Sequence, residues 1–274
     1  MRKLGGNTGA QNSLLIRGRI IYITMVMFGI FLMVSASRVL LDGELEYQAA
    51  RTEYEQLREQ YPVISMYAPA SQHPASLNED IGAAALQMFG INPAPARNIP
   101  EAEDPLVGLM EMNSDFVGWI YIEDIIDYPV VRGRDNSRYL GLTFSGQYNS
   151  AGTVFMDYRH SQSFSEPVCI LYGHNVKDGS MFAPLNRYTD KAYMEAKPYI
   201  TIVSSEGEVL HYRIFAAKRT DAWDKDYELG ITDGEAAVKS FKGVPDGTSR
   251  ILLLSTCTPN NDRDERLLVY AACP

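Results

Sequence analysis

The chain has 274 residues, 46% of them hydrophobic, and a net charge of −9, which suits one sizeable domain with appendages. The first 19 residues hold Arg2, Lys3, Arg17 and Arg19 and no acid, so the body downstream is strongly acidic and excluded as a gripper of nucleic acid or of an anionic membrane surface. Three cysteines, an odd number, argue against a disulfide framework.

Ile20 to Ala36 reads IIYITMVMFGIFLMVSA, 17 residues without a charge, at the short end for a membrane-spanning helix of about 20 residues. Arg17 and Arg19 precede it and Asp42, Glu44 and Glu46 follow. By the positive-inside rule this predicts a cytoplasmic tail at 1–19, an anchor at 20–37 and an extracellular body. The competing reading is a cleaved signal peptide, for which Val34-Ser35-Ala36 would be the cleavage site. Either way the body is exported.

Residues 38–60 are rich in helix formers, with Val39, Leu40, Leu45, Tyr47, Tyr54 and Leu57 as an apolar stripe, which predicts a juxtamembrane helix, docked or solvated. Residues 61–100 carry Pro62, Pro69, Pro74, Pro93, Pro95 and Pro100, the composition of a linker. Ser76 and Glu79 there form a capping box for one short helix. The assignment is juxtamembrane helix and linker at 38–103 and a catalytic domain at 104–274.

From residue 104 a helix-like DPLVGLMEM leads into eight short β-rich runs at 118–122, 126–131, 152–156, 167–172, 199–204, 208–217, 250–255 and 266–271. Such spacing between turn residues predicts a barrel or sandwich. Helical insertions are predicted at 180–188 and at 232–242, the latter opened by a Thr232/Glu235 capping box.

A thiol becomes a nucleophile when a base or a cation supports its thiolate. Cys169 lies inside VCIL and reads as core; Cys273 is penultimate. Cys257 ends the apolar run ILLLST. Of the histidines, His73 is in the linker, His160 in a polar run, and His211 in mid-strand on one face with Arg213. His174, in YGHN, follows a strand end as Cys257 does. Side chains at two strand ends can meet on one rim of a barrel; the alternatives are a structural histidine and an inert thiol. Arg266 opens the last run, either as a surface charge or as a donor for an oxyanion. Arg263, in the acidic turn NNDRDE, is its competitor. No Cys or His pair has zinc-site spacing, so neither a metal nor a cofactor is expected.

His174, Cys257 and Arg266, in that order, resemble the His-Cys-Arg triad of sortases. LLLSTCT resembles the sortase signature in its serine-containing class B form. NSDFVGWIYI (113–122), YPVVRGRDNSRYL (128–140) and GTVFMDYRH leading to YGHNVKDGSMFAPLNRY (152–188) are similar to class B sortases. A helix between the sixth and seventh strands is a further class B trait. Thr258, where some members carry an acid, and Val176, where methionine is frequent, depart from the pattern and bear on substrate specificity.

The resemblance implies a mainly β fold, an eight-stranded sortase barrel with N-terminal helices and one transmembrane helix. It implies a cysteine transpeptidase of a Gram-positive cell membrane, single-pass with its catalytic domain outside. Cys257 would cleave a C-terminal sorting signal after threonine through a thioester, His174 would move protons, and Arg266 would hold substrate and oxyanion. The acceptor would be an amine of the peptidoglycan precursor lipid II. By position, Asn136, Leu140, Tyr172 and Ser255 match family residues near the substrate groove. The alternatives are a cell-wall cysteine peptidase or amidase, a pilin-polymerising sortase with a lysine acceptor, and a non-catalytic binding module. Papain-like enzymes, with Cys before His, fit less well than an order in which His174 comes first.

Overall fold

The computed structural model describes residues 8–68, 104–228, 235–258 and 264–273. The capping box at 76–79, His73, Arg263 and most of the Thr232/Glu235 box lie outside them. The chain divides into two compact units, Met1–Gln48 and Ala49–Pro274.

Helix α1 spans Thr8–Gln60. Among the described side chains of the first unit, Tyr22, Phe28, Phe31 and Met33 are all more than half exposed. Of the described residues, this helix alone is long and apolar enough to cross a membrane. The predicted stripe shifts. Leu45 is exposed, whereas Ala50, Tyr54 and Leu57 are buried. Their spacing of four and then three residues puts them on one helix face, which closes on the barrel within the second unit. A short helix α2, Val63–Tyr67, follows. Helix α3, Pro105–Met112, has Asp104 as its cap, the carboxylate accepting from Leu106 N at 2.9 Å.

Eight strands follow: β1 Phe116–Ile122, β2 Ile126–Val131, β3 Val154–Met156, β4 Val168–Tyr172, β5 Tyr199–Ser204, β6 Val209–Asp221, β7 Arg250–Cys257 and β8 Glu265–Cys273. They close into a barrel in the order β1-β2-β3-β4-β7-β8-β6-β5, so the sheet has no free edge. Most neighbours are antiparallel, but β2/β3 and β4/β7 are parallel. The runs VCIL and ILLL are apolar on both faces for a physical reason. Helix α5, Glu235–Ser240, is followed by Phe241, and Ala237, Val238 and Phe241 pack with Val168, Ile170, Ile251, Leu253, Leu268 and Tyr270. These strands are covered from within the barrel and from outside, as parallel pairs usually are.

Several predicted strand ends move by one or two residues, as β7 does in running on to Cys257, and two boundaries move further. Strand β6 continues past residue 217 to Asp221, because its charged end stays paired with β8, Thr220 opposite Arg266 and Asp221 opposite Glu265. A run as polar as KRTD has no apolar alternation to announce a strand. The insertion predicted at 180–188 begins later. It is a 3-10 helix over Ala183–Thr189 followed by α4, Lys191–Ala196, which Asp190 caps through its carboxylate to Ala192 N.

Candidate active site

Strands β4 and β7 run parallel with Tyr172 opposite Ser255, so both deliver their C-terminal ends to the same rim. The chain leaving β4 stays attached to β7. Gly173 N donates to Ser255 O at 3.2 Å, and Asn175 Nδ2 donates to Cys257 O at 3.0 Å. His174 lies between these two pinned residues. Strand β8 runs antiparallel to β7 and sets Arg266 opposite Cys257. Three adjacent strands thus bring His174, Cys257 and Arg266 to one end of the barrel, each partly buried.

His174 Nε2 lies 2.8 Å from Leu140 O. A carbonyl only accepts, so Nε2 carries the hydrogen and Nδ1 is left to exchange a proton. Arg266 donates from Nη1 to Glu265 O at 3.1 Å. Burial raises the Tyr227 hydroxyl pKa, Arg266 lowers it and Cys257 raises it further. Its hydroxyl also meets Ser255 Oγ at 2.8 Å, and its ring stacks on Tyr172 at 6.2 Å between centroids.

The four residues matched to the groove separate by environment. Leu140 is 44% exposed, on a 3-10 turn Arg138–Leu140. Tyr172 is partly buried, its hydroxyl donating to Asp157 Oδ2 at 2.9 Å. Ser255 is buried, its hydroxyl turned to Tyr227. Asn136 donates to Asp157 Oδ2 at 3.0 Å and accepts from Tyr158 N at 3.0 Å. Tyr172 and Asn136 therefore converge on one buried carboxylate. Asp157 also takes Arg159 Nε at 2.9 Å on Oδ1 and Nη2 at 2.9 Å on Oδ2. Burial works against its charge, but the bonds from Arg159, Tyr172 and Asn136 prevail and hold the carboxyl at about 2. Sequence reasoning missed Asp157, Arg159, Tyr227 and Asn175. The one local signal was the Asp-Tyr-Arg stretch directly after β3, where an aspartate can turn back on the backbone N–H two residues on.

The other candidates have structural duties. His160 is buried; it receives Ile170 N on Nε2 at 3.1 Å, so its Nδ1 carries the hydrogen and donates to Glu166 at 2.6 Å. Cys169 is fully buried, and desolvation pushes its thiol up to about 12; burial also raises Cys273. Neither has a supported thiolate. His211 meets Thr201 Oγ1 at 3.2 Å. Among the described residues no group of His, Cys, Asp and Glu is arranged to hold a metal.

Comparison with known proteins matches this geometry to one group. A family profile described as the sortase domain covers residues 120–273. The chain is 36% identical over 183 residues to sortase B of Listeria monocytogenes, covering 62% of this chain and 73% of that one. The crystal structure of Clostridium perfringens sortase B superimposes with a TM-score of 0.54 at 28% identity, covering 61% of this chain and 98% of that one. A Streptococcus pyogenes class B sortase, described as involved in pilus biogenesis, superimposes with a TM-score of 0.53 at 26% identity, covering 61% and 96%.

Proposed function

Because the chain belongs to the sortase family, in its class B, and so to the cysteine transpeptidases, we propose that Cys257 is its nucleophile, His174 its acid and base, and Arg266 its oxyanion donor. The observation that supports this most is the pairing of Cys257 with Arg266 across β7 and β8 beside a His174 whose neighbours are both bonded to β7.

In this reading His174 Nδ1 takes the proton of the Cys257 thiol, and the resulting thiolate attacks the threonine carbonyl of a C-terminal sorting signal. The carbonyl electrons move onto oxygen, which the Arg266 guanidinium holds. The tetrahedral adduct collapses, the peptide C–N bond breaks, and His174 Nδ1–H protonates the departing amine. A thioester on Cys257 remains. An incoming amine then attacks it, giving its proton to Nδ1, and Cys257 leaves as thiolate. The Nε2–H bond to Leu140 O keeps the ring in one tautomer through both steps.

Sortases act on surface proteins and cell-wall precursors. For this chain we infer transfer of a surface protein to a lipid II amine outside the cell, anchored through residues 20–37. Leu140 and Tyr172 line the groove, while Asn136 and Ser255 shape it from behind through Asp157 and Tyr227. The likeness to the S. pyogenes protein makes a pilin lysine the second acceptor to test. Mass spectrometry of products from a sorting-peptide library, with a crossbridge-like amine, a lysine peptide or neither, tests the reading. Ligated product that passes through an acyl adduct on Cys257 is expected. Cleavage that never yields ligated product with either amine would instead make the protein a peptidase.

A further inference from the structure

Tyr54 sits on the last turns of α1, far in sequence from the triad, yet it reaches both flanks of His174. It is 2% exposed, and its hydroxyl donates to Gly152 O at 2.6 Å. Gly152 has a φ of +63°; a Cβ there would lie 3.0 Å from His174 Cδ2, 3.1 Å from Leu140 O and 2.5 Å from Tyr139 O. The Gly152 backbone is therefore a wall against which the imidazole rests, next to the carbonyl that fixes its tautomer. Only glycine permits so close an approach in this conformation. On the other flank, the Tyr54 ring meets the Tyr128 ring edge-on at 5.2 Å. The Tyr128 hydroxyl accepts from Met181 N at 3.1 Å, and Met181 is bridged to Asn175. Phe182 N returns to His174 O at 2.9 Å. One buried side chain thus supports the wall beside the ring and the turn that carries its backbone.

We propose that Tyr54 is a positioning residue for His174, so that the docked end of the juxtamembrane helix belongs to the catalytic apparatus. This rests on His174 being the acid and base, as proposed above. A proton-transfer group must be held closely, and a misplacement of about 1 Å from a remote mutation can cost up to about a hundredfold in rate. Tyr54→Phe keeps the ring and its contact with Tyr128 and removes the hydroxyl's bonds to Gly152 O and to Thr153 Oγ1, the latter at 3.1 Å. Glu53→Ala is the comparison: Glu53 accepts from Ser145 N at 2.9 Å, so its loss loosens the same helix without touching Gly152.

Steady-state kinetics of the full-length chain in detergent, with kcat divided by the titrated fraction of alkylatable Cys257, separates the outcomes. Tyr54→Phe should lower kcat per titrated site about tenfold and leave KM within about twofold, the signature of a lost transition-state arrangement. Glu53→Ala should keep kcat per site within about twofold, and His174→Ala should be inactive. Tyr54→Phe at wild-type kcat per site beside an inactive His174→Ala would overturn this proposal and spare the reading of the site. So would an equal loss in Glu53→Ala, since docking in general would then be the cause. An active His174→Ala would sink both.

Discussion

Cys257 and Arg266 are cross-strand partners, and their chemistry is tested one side chain at a time. Cys257→Ala should abolish cleavage of a sorting peptide. Cys169→Ala and Cys273→Ala should leave kcat/KM unchanged, because burial keeps both thiols protonated. A peptide-cleavage assay on the three variants decides it, and activity in Cys257→Ala would remove the assignment. Arg266→Lys should lose about a hundredfold in kcat/KM, as should Arg266→Ala, since an ammonium point charge cannot reproduce the planar donor fork. A lysine variant with wild-type turnover would show that Arg266 only balances charge. Asp157 gives a pH prediction. Its folded carboxyl sits at about 2, below the unfolded value of about 3.9. Its stabilisation is therefore fully present above the unfolded value and is lost as pH falls from about 4 through about 2. Asp157→Asn should flatten that acid limb in denaturant melts; an unchanged limb would mean that other carboxylates set it.

At the scale of elements, α5 and the residue after it decide how the site-bearing strands are covered. Phe241 is buried against the outer face of β4, β7 and β8. Phe241→Ala should cost about 3 kcal/mol through lost burial and the cavity left behind, read as a lower midpoint in thermal melts followed by circular dichroism. A change under about 1 kcal/mol would mean that the helix can collapse onto the gap. The parallel β4/β7 pair explains why this cover is needed. Their central residues, Cys169 to Leu171 and Ile251 to Leu254, are all fully buried, and a sheet buried on both faces needs a second layer.

For the whole molecule, the expectation is a tethered enzyme. The N-terminal unit exposes an apolar helix, Arg17 and Arg19 lie before it and the acidic residues after it. Protease added to intact cells should remove the body, and the mature chain should keep its N-terminus upstream of Ile20. A mature protein beginning near Ser37 would establish the signal peptide instead. The acidic surface of the body adds repulsion from anionic headgroups rather than a second membrane contact.

All eight strands were legible in the sequence from local pattern, which left barrel and sandwich open and gave Cys257, His174 and Arg266 only as candidates; the closed barrel and the proposed triad were expected from the resemblance to sortases. Apolar runs of four to six residues between turn formers announce strands, and a thiol, an imidazole and a guanidinium at run ends stand out from the interiors around them. Other features depended on tertiary structure. The closing order of the strands, the β4/β7 parallel pair and the Cys257–Arg266 register are set by pairing between segments distant in the chain. The Asp157 network, the turn of Ser255 toward Tyr227 and the reach of Tyr54 to Gly152 were hidden for the same reason. A buried polar side chain takes its meaning from its partner, and the sequence separation of 98 between Tyr54 and Gly152 leaves no local periodicity to read. The charged end of β6 shows the limit most plainly: hydrophobic alternation records burial, so a strand held by backbone pairing alone is silent in the sequence and visible only in the fold.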